Sequence, residues 1–310
     1  PQITGDISGS GGISKTGGGD LVLEGDNTYS GRTNVYNGSL IVGDNGSLPK
    51  GNKVFVDGKN NSKIVFRNSK SEIGKLLGDG IVEVDHADTL KIGSGLAVGS
   101  DGQFNFEGII ADGKWLLWNE SANLEKVGDG MAILSGNNTY TGATTITSGI
   151  LRVDGTLSDK SLVDVKSSGI YKVANDDTVD SITGSGNIHI FGGKTLGFGA
   201  SSSEFKGVIQ GDGGIKKVGS ESTTTLSGDN TFTGATSITA GTLKVSGSLA
   251  DSTAVNVSSG AIYDVDSTDT IGSIAGDGEV DLAKGITLTA GGDNTSTTFG
   301  GVIWGEGNFT

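Results

Sequence analysis

Residues 134–196 align with residues 226–288 without a gap, at an offset of 92. Asn138-Thr139-Tyr140-Thr141-Gly142 falls on Asn230-Thr231-Phe232-Thr233-Gly234. Leu151 and Val153 fall on Leu243 and Val245, Val163 and Val165 on Val255 and Val257, Tyr171 on Tyr263, and Ile182 on Ile274. An earlier copy begins at Asn27-Thr28-Tyr29-Ser30-Gly31, 111 residues before the second, and repeats the Leu-x-Val pair as Leu40 and Val42. Short insertions around residues 48–66 and near Trp115 account for the longer spacing. The apolar positions stay apolar between copies, whereas Arg152 becomes Lys244 and Asp164 becomes Asn256. One face of each segment is therefore core and the other meets water.

Within a cycle, runs such as Leu151-Arg152-Val153 and Val163-Asp164-Val165 alternate in and out and are bounded by Gly, Asp, Asn or Ser. That is strand periodicity, and helical periodicity is nearly absent. Many short strands admit a sandwich, a barrel or a solenoid. The ends of the cycle separate these: residues 5–15 match 207–217, and residues 301–309 match 207–215. An array that can start anywhere is quasi-one-dimensional. The expected fold is all-β, a right-handed parallel β-helix, with about four rungs per cycle. A single continuous body over residues 1–310 is expected, with repeats at about 5–106, 107–205 and 206–299 and the start of a fourth at 300–310. The native chain is expected to continue past Thr310 with a lysine and then a Leu-x-Leu-Ser-Gly-like strand.

Glycine supplies the corners: 56 of 310 residues are Gly, more than twice the usual share of about 7%. The pairs Gly78/Gly80, Gly184/Gly186 and Gly276/Gly278 read as sharp bends that need positive φ or close backbone approach. A phosphate-cradling loop would need a following helix, and none is indicated.

The formal net charge of −14 argues against a nucleic-acid partner, which needs a basic face, and suits a soluble cell-surface chain. With no cysteine, disulfides, thiol catalysis and thiolate metal sites are all absent. No apolar run of transmembrane length and no signal-peptide pattern at Pro1 occur in this stretch.

Residues 207–217 read Gly-Val-Ile-x-Gly-x-Gly-Gly-Ile-x-Lys, and residues 226–245 continue as Leu-Ser-Gly-x-Asn-Thr-Phe-Thr-Gly-x-Thr-x-Ile-x-x-Gly-x-Leu-x-Val. The second part recurs at residues 134–153 and more loosely at 23–42. This pattern resembles the autotransporter-associated β-strand repeat, also called the passenger-associated transport repeat. The resemblance implies the passenger region of a Gram-negative surface protein, exported through its own outer-membrane β-barrel lying outside this segment. It implies an extracellular or cell-surface location and a spacer that assists export.

Chemistry-bearing residues are sparse. His86 and His189 sit at related strand positions without metal-ligand spacing. Gly193-Lys194-Thr195 resembles the tail of a phosphate loop, but Ile188 stands where the earlier glycine is required. A polysaccharide-cleaving β-helix enzyme is the alternative from another class, with Asp176 and Asp177, or Asp264, Asp266 and Asp269, as its carboxylates. These acids lie between strands, where a solvated turn accounts for them, and the three arginines, Arg32, Arg67 and Arg152, do not pair with them in any evident way. Asn27, Asn138 and Asn230 read as turn residues bonding nearby backbone.

Trp115-Leu116-Leu117-Trp118, in the insertion, is apolar on both faces and reads as an extra core-packing loop or as an exposed contact patch; Trp115 and Trp118, with Trp304, which replaces Gln210 at the matching repeat position, are the candidate partner contacts. No catalytic, metal or cofactor residue is assigned. The expected function is a structural spacer supporting passenger export and display. Its candidate partners are a host surface, a glycan or a second copy of itself.

Overall fold

The computed structural model describes residues 1–67, 71–85, 88–95, 102–113 and 121–310. The chain forms two compact units, Pro1–Ser161 and Leu162–Thr310. Each is a β-solenoid of stacked parallel strands. Among the described residues the one helical element is the 3-10 turn Lys59–Asn61.

In the first unit the strands stack in three parallel columns. One runs Gln2–Ile3, Asp20–Leu23, Ser39–Val42, Lys63–Arg67, Ile81–Asp85 and Ile109–Asp112. The second runs Ile13–Lys15, Thr33–Val35, Lys53–Val56, Lys75–Gly78, Gln103–Phe106 and Met131–Leu134, and ends on the second half of Thr144–Val153. The third takes Glu72–Ile73, Thr89–Ile92 and Asn123–Lys126, and ends on the first half of Thr144–Val153.

The second unit repeats the plan. Its longest column begins in Leu162–Val173 and passes through Ser181–Gly184, Ser203–Phe205, Thr223–Leu226, Gly241–Val245, Ala261–Val265, Glu279–Leu282 and Val302–Gly305. Another joins Asp177–Thr178, Thr195–Phe198, Gly214–Lys217, Thr236–Ile238, Ala254–Val257 and Ser273–Gly276.

The alternation read from the sequence sets which side faces in. Leu151, Val153, Val163, Val165, Leu243, Val245, Val257 and Tyr263 are buried to within 1% exposure, and Ile274 to 6%. Outward neighbours such as Arg152, Asp164 and Lys244 are partly exposed, and Asn256 is exposed. Each rung hydrogen-bonds through its backbone to the rung about one turn away, as in Gly43 N–H to the Leu23 carbonyl (2.8 Å) and Asp57 N–H to the Val35 carbonyl (2.9 Å). Backbone polarity is thus satisfied between rungs, and β-branched side chains fill the interior.

The Gly-x-Gly corners divide the work as expected. Gly78, Gly184 and Gly276 have φ of +98°, +99° and +107°. Their partners Gly80, Gly186 and Gly278 have no room for a Cβ against the neighbouring rung.

Candidate functional site: the clamp inside each repeat

The motif that recurs three times builds one inward-facing row with period two: Asn, aromatic, Gly, Thr. In chain order the rows are Asn27-Tyr29-Gly31-Thr33, Asn138-Tyr140-Gly142-Thr144 and Asn230-Phe232-Gly234-Thr236. The asparagines are 2–3% exposed and the aromatics at most 2%. The sequence places each asparagine in a turn bonding nearby backbone. The structure shows that it also joins three successive rungs.

Asn230 accepts at Oδ1 from Ile209 N–H of the preceding rung (3.0 Å), and its Nδ2 donates to Gly228 of its own rung (2.8 Å) and to Ser248 of the next (3.0 Å). Asn138 does the same with Ile110, Gly136 and Thr156, and Asn27 with Ile7, Gly25 and Ser47. A side-chain amide suits this task because it is donor and acceptor at once.

The aromatic residue fills the core two positions on. Tyr140 shares a hydrogen bond of 2.6 Å with Thr144 Oγ1, and Tyr29 does likewise with Thr33, whose Oγ1 also donates to Asn52 Oδ1 (2.7 Å). In the third copy Phe232 has no hydroxyl, and Thr236 Oγ1 is buried without a partner. Between aromatic and Thr stands a glycine. A Cβ on Gly234 would lie inside van der Waals contact of the Gly213 and Gly214 backbone, and Gly31 and Gly142 are similarly crowded by the preceding rung.

A second inward residue of the repeat is charged. Lys126 and Lys217 are fully buried, and Lys15 is 7% exposed. Each ammonium is held by oxygens of its own turn and of the next rung. Lys126 Nζ donates to the carbonyls of Val127 (2.9 Å), Gly128 (2.7 Å) and Ser148 (3.1 Å). Lys217 Nζ donates to Val218, Gly219 (3.1 Å) and Ala240 (3.4 Å), and also to Gly199 (3.3 Å) and Ser222 Oγ (2.9 Å). Lys15 reaches Gly17 and Asn37 (2.8 Å).

The next-rung acceptors Asn37, Ser148 and Ala240 each precede a glycine of positive φ, Gly38 (+70°), Gly149 (+68°) and Gly241 (+64°). The bend at that glycine accompanies a carbonyl turned toward the lysine. Burial pushes the Lys126 and Lys217 ammonium groups down to about 8. Both remain charged at neutral pH, where the carbonyl cage offsets part of the desolvation.

The other residues singled out by sequence are scattered. Asp269 is not a solvated turn: it is 7% exposed and accepts from Leu249 N–H (2.9 Å) on the preceding rung and Thr270 N–H (2.9 Å). Burial raises its pKa against those two bonds. Asp177 is equally buried and accepts from Thr178 N–H (2.9 Å). Carboxylates are drawn inward here because a turn N–H needs an acceptor. Asp176 accepts from Thr195 N–H (2.8 Å), while Asp264 and Asp266 both meet Lys244.

Gly193-Lys194-Thr195 is a turn in which Lys194 N–H bonds the Phe191 carbonyl (3.1 Å). His189 stacks on Phe191 with ring centroids 3.8 Å apart, and burial together with Lys172 lowers its pKa. Trp304 is 46% exposed and donates to Glu279 Oε2 (3.2 Å). Trp115, Trp118 and His86 lie outside the described residues.

Residues 13–42, 124–153 and 217–245 match the passenger-associated-transport-repeat family. Every lysine, asparagine, aromatic and threonine of the clamp falls within these matches. The chain is 33% identical to the adhesin BmaC autotransporter of Brucella suis, over 76% of this chain and 7% of that protein. It is 37% identical to the Neisserial autotransporter lipoprotein NalP of Neisseria meningitidis serogroup B, over 42% of this chain and 11% of that protein. The chain therefore spans about a tenth or less of the length of these relatives. No solved structure matches it.

Proposed function

We propose that this chain, a repeat region of a Gram-negative autotransporter passenger, acts as a self-supporting spacer that folds rung by rung and holds other parts of its protein away from the cell. Autotransporter passengers of this kind are surface-displayed or secreted. The observation that carries the spacer reading is the clamp. Asn27, Asn138 and Asn230 each tie a rung to the one before and the one after, so a rung is completed by its immediate neighbours alone. Such nearest-neighbour stability suits a chain that emerges progressively and is extended by adding repeats. An outer-membrane β-barrel elsewhere in the protein would supply the exit.

The role is non-enzymatic in this reading. Asp176, Asp177, Asp264, Asp266 and Asp269 are engaged with turn N–H groups or Lys244, which supports a structural use for each.

Deletion of residues 134–225 from the full-length protein joins equivalent points of two cycles and tests the reading. A spacer predicts that the shortened passenger still reaches the surface, judged by protease accessibility on intact cells, and that the activities of the rest of the protein persist. Normal surface level with loss of attachment to host cells would instead make this segment the adhesive part.

A further inference from the structure

Many cations on the outward faces of this acidic chain meet a carboxylate, while Lys59, Lys160, Lys172 and Lys216 make no ion pair among the described residues. Lys63 pairs with Glu83, Arg67 with Asp85, Lys91 with Glu125, Lys166 with Asp164, and Lys244 with Asp264 and Asp266. One column in the first unit gathers unpaired cations side by side. Lys53 and Lys75 stand directly opposite each other in register. Arg32 immediately precedes Thr33, which is opposite Val54, so the same register brings Arg32 beside Lys53. Three cations are thus stacked on successive rungs, and none of them makes an ion pair among the described residues. Like charges opposite each other across strands are destabilising, and a chain with 36 acidic residues could readily have compensated them.

Two further features share the place. Arg32, Lys50 and Lys53 rim an open groove of about 440 Å³, whose floor includes the buried Tyr29 and Asn52. Lys50, on the rim, pairs with Glu72 (3.1 Å). Two residues further along the same strands, Asn34, Phe55 and Leu77 are opposite one another, with Phe55 and Leu77 partly exposed, and the ring of Tyr36, 40% exposed, lies 5.8 Å from that of Phe55. A row of cations beside the exposed Tyr36 ring and the partly exposed Phe55 and Leu77 offers charge to anionic groups and a flat face to sugar rings.

We propose that this face of the first unit binds an extended anionic polysaccharide, with Arg32, Lys53 and Lys75 contacting successive sulfate or carboxylate groups and Tyr36 and Phe55 packing on the sugar rings. The cationic column repeats at the strand spacing, about 4.8 Å, comparable with the advance of one sugar along an extended chain. A polysaccharide is the polyanion an extracellular surface meets. This goes beyond the spacer reading and stands or falls separately from it.

Dextran sulfate and neutral dextran, titrated against the chain by calorimetry, test the proposal. Dextran sulfate is expected to bind and dextran not. The triple substitution Arg32→Gln, Lys53→Gln, Lys75→Gln is expected to weaken dextran sulfate at least about tenfold and to reduce the log–log salt slope by about three. The charge-matched control Lys160→Gln, Lys206→Gln, Lys284→Gln should leave it unchanged, and Tyr36→Ser should weaken dextran sulfate but not inorganic polyphosphate. Equal losses in the two triple variants would overturn the site. A single-stranded oligonucleotide binding as tightly as dextran sulfate, or Tyr36→Ser affecting both polyanions alike, would overturn the sugar assignment.

Discussion

The third copy of the clamp carries a defect that substitution should repair. Phe232 occupies the place of Tyr29 and Tyr140, and Thr236 Oγ1 is left buried and unpaired. The same row holds a fully buried tyrosine at Tyr140, hydrogen-bonded to Thr144 at 2.6 Å, so the position accommodates a phenol. Phe232→Tyr should therefore add one buried hydrogen bond, about 1 kcal/mol net, and relieve part of an orphaned hydroxyl, which costs about 1–3 kcal/mol.

The threonine tests the same logic with the sign reversed. Thr236→Val should be neutral or slightly stabilising beside Phe232, because it deletes an unsatisfied hydroxyl. In the Phe232→Tyr background it should cost about 1–3 kcal/mol, because it leaves the new phenol unpaired. The assay is a double-mutant cycle from urea unfolding followed by far-UV circular dichroism, with amide exchange at Thr233 and Gly234 as a local readout. A coupling energy near zero, or a Phe232→Tyr variant less stable than the parent by 1 kcal/mol or more, would refute this account of the clamp.

Stability should rise with pH above neutrality. The folded Lys126 and Lys217 release their protons near 8, whereas the unfolded side chains do so at 10.5. Between those values the unfolded state binds more protons, so each lysine adds on the order of 1–3 kcal/mol as the charge leaves the core. The buried Tyr263 hydroxyl, its pKa raised, opposes the trend above pH 10. Urea midpoints at pH 7.5 and 9.5 should show the increase, Lys126→Met with Lys217→Met should flatten it, and a monotonic fall in the parent would contradict the assignment. Asn230→Ala removes three hydrogen bonds, two of which join rungs, and should cost at least about 3 kcal/mol in thermal unfolding, with Asn230→Asp nearly as damaging because a carboxylate cannot donate. Val255→Asp buries an unpaired carboxylate and should unfold its rungs, whereas Lys244→Gln, at a partly exposed pair, should cost about 1 kcal/mol or less. Comparable losses in denaturant melts would mean that the inward face is misassigned.

Much of this was legible in the sequence because a solenoid reuses its solutions. The 92-residue offset exposed the array, and the alternation of Leu243 with Lys244 and Val245 identified the inward face. The clamp lysines were harder to read. Lys15 shares the inward parity of Ile13, and Lys217 that of Ile215, which was the available signal. A lysine ordinarily faces water, and the carbonyls of Asn37 and Ala240 that compensate its burial lie 22 and 23 residues away, out of reach of local sequence reading. Asp177 and Asp269 were misleading for a related reason. A carboxylate between strands reads as a solvated turn until the N–H groups that it accepts are located, as with Leu249 on the rung before Asp269. The Arg32–Lys53–Lys75 column recurs in neither later cycle, where Ala143 and Ala235 stand in the place of Arg32, so the repeat carries no signal for it until the register aligns the three rungs.

The central claim is that consecutive rungs stack in parallel at a defined register, and the absence of native cysteine makes it directly measurable. Thr242 is opposite Ile262, with both side chains partly exposed on the outer face. Neighbouring strands bring such Cα atoms to about 4.8 Å, within the range a disulfide spans. Shifting one partner by two residues, to Asp264, lengthens the separation to about 8 Å, beyond that range. The account predicts that Thr242→Cys with Ile262→Cys cross-links readily under mild oxidation while Thr242→Cys with Asp264→Cys does not. Cross-linking of the shifted pair as fast as the aligned one, or failure of the aligned pair in a folded protein, would contradict it.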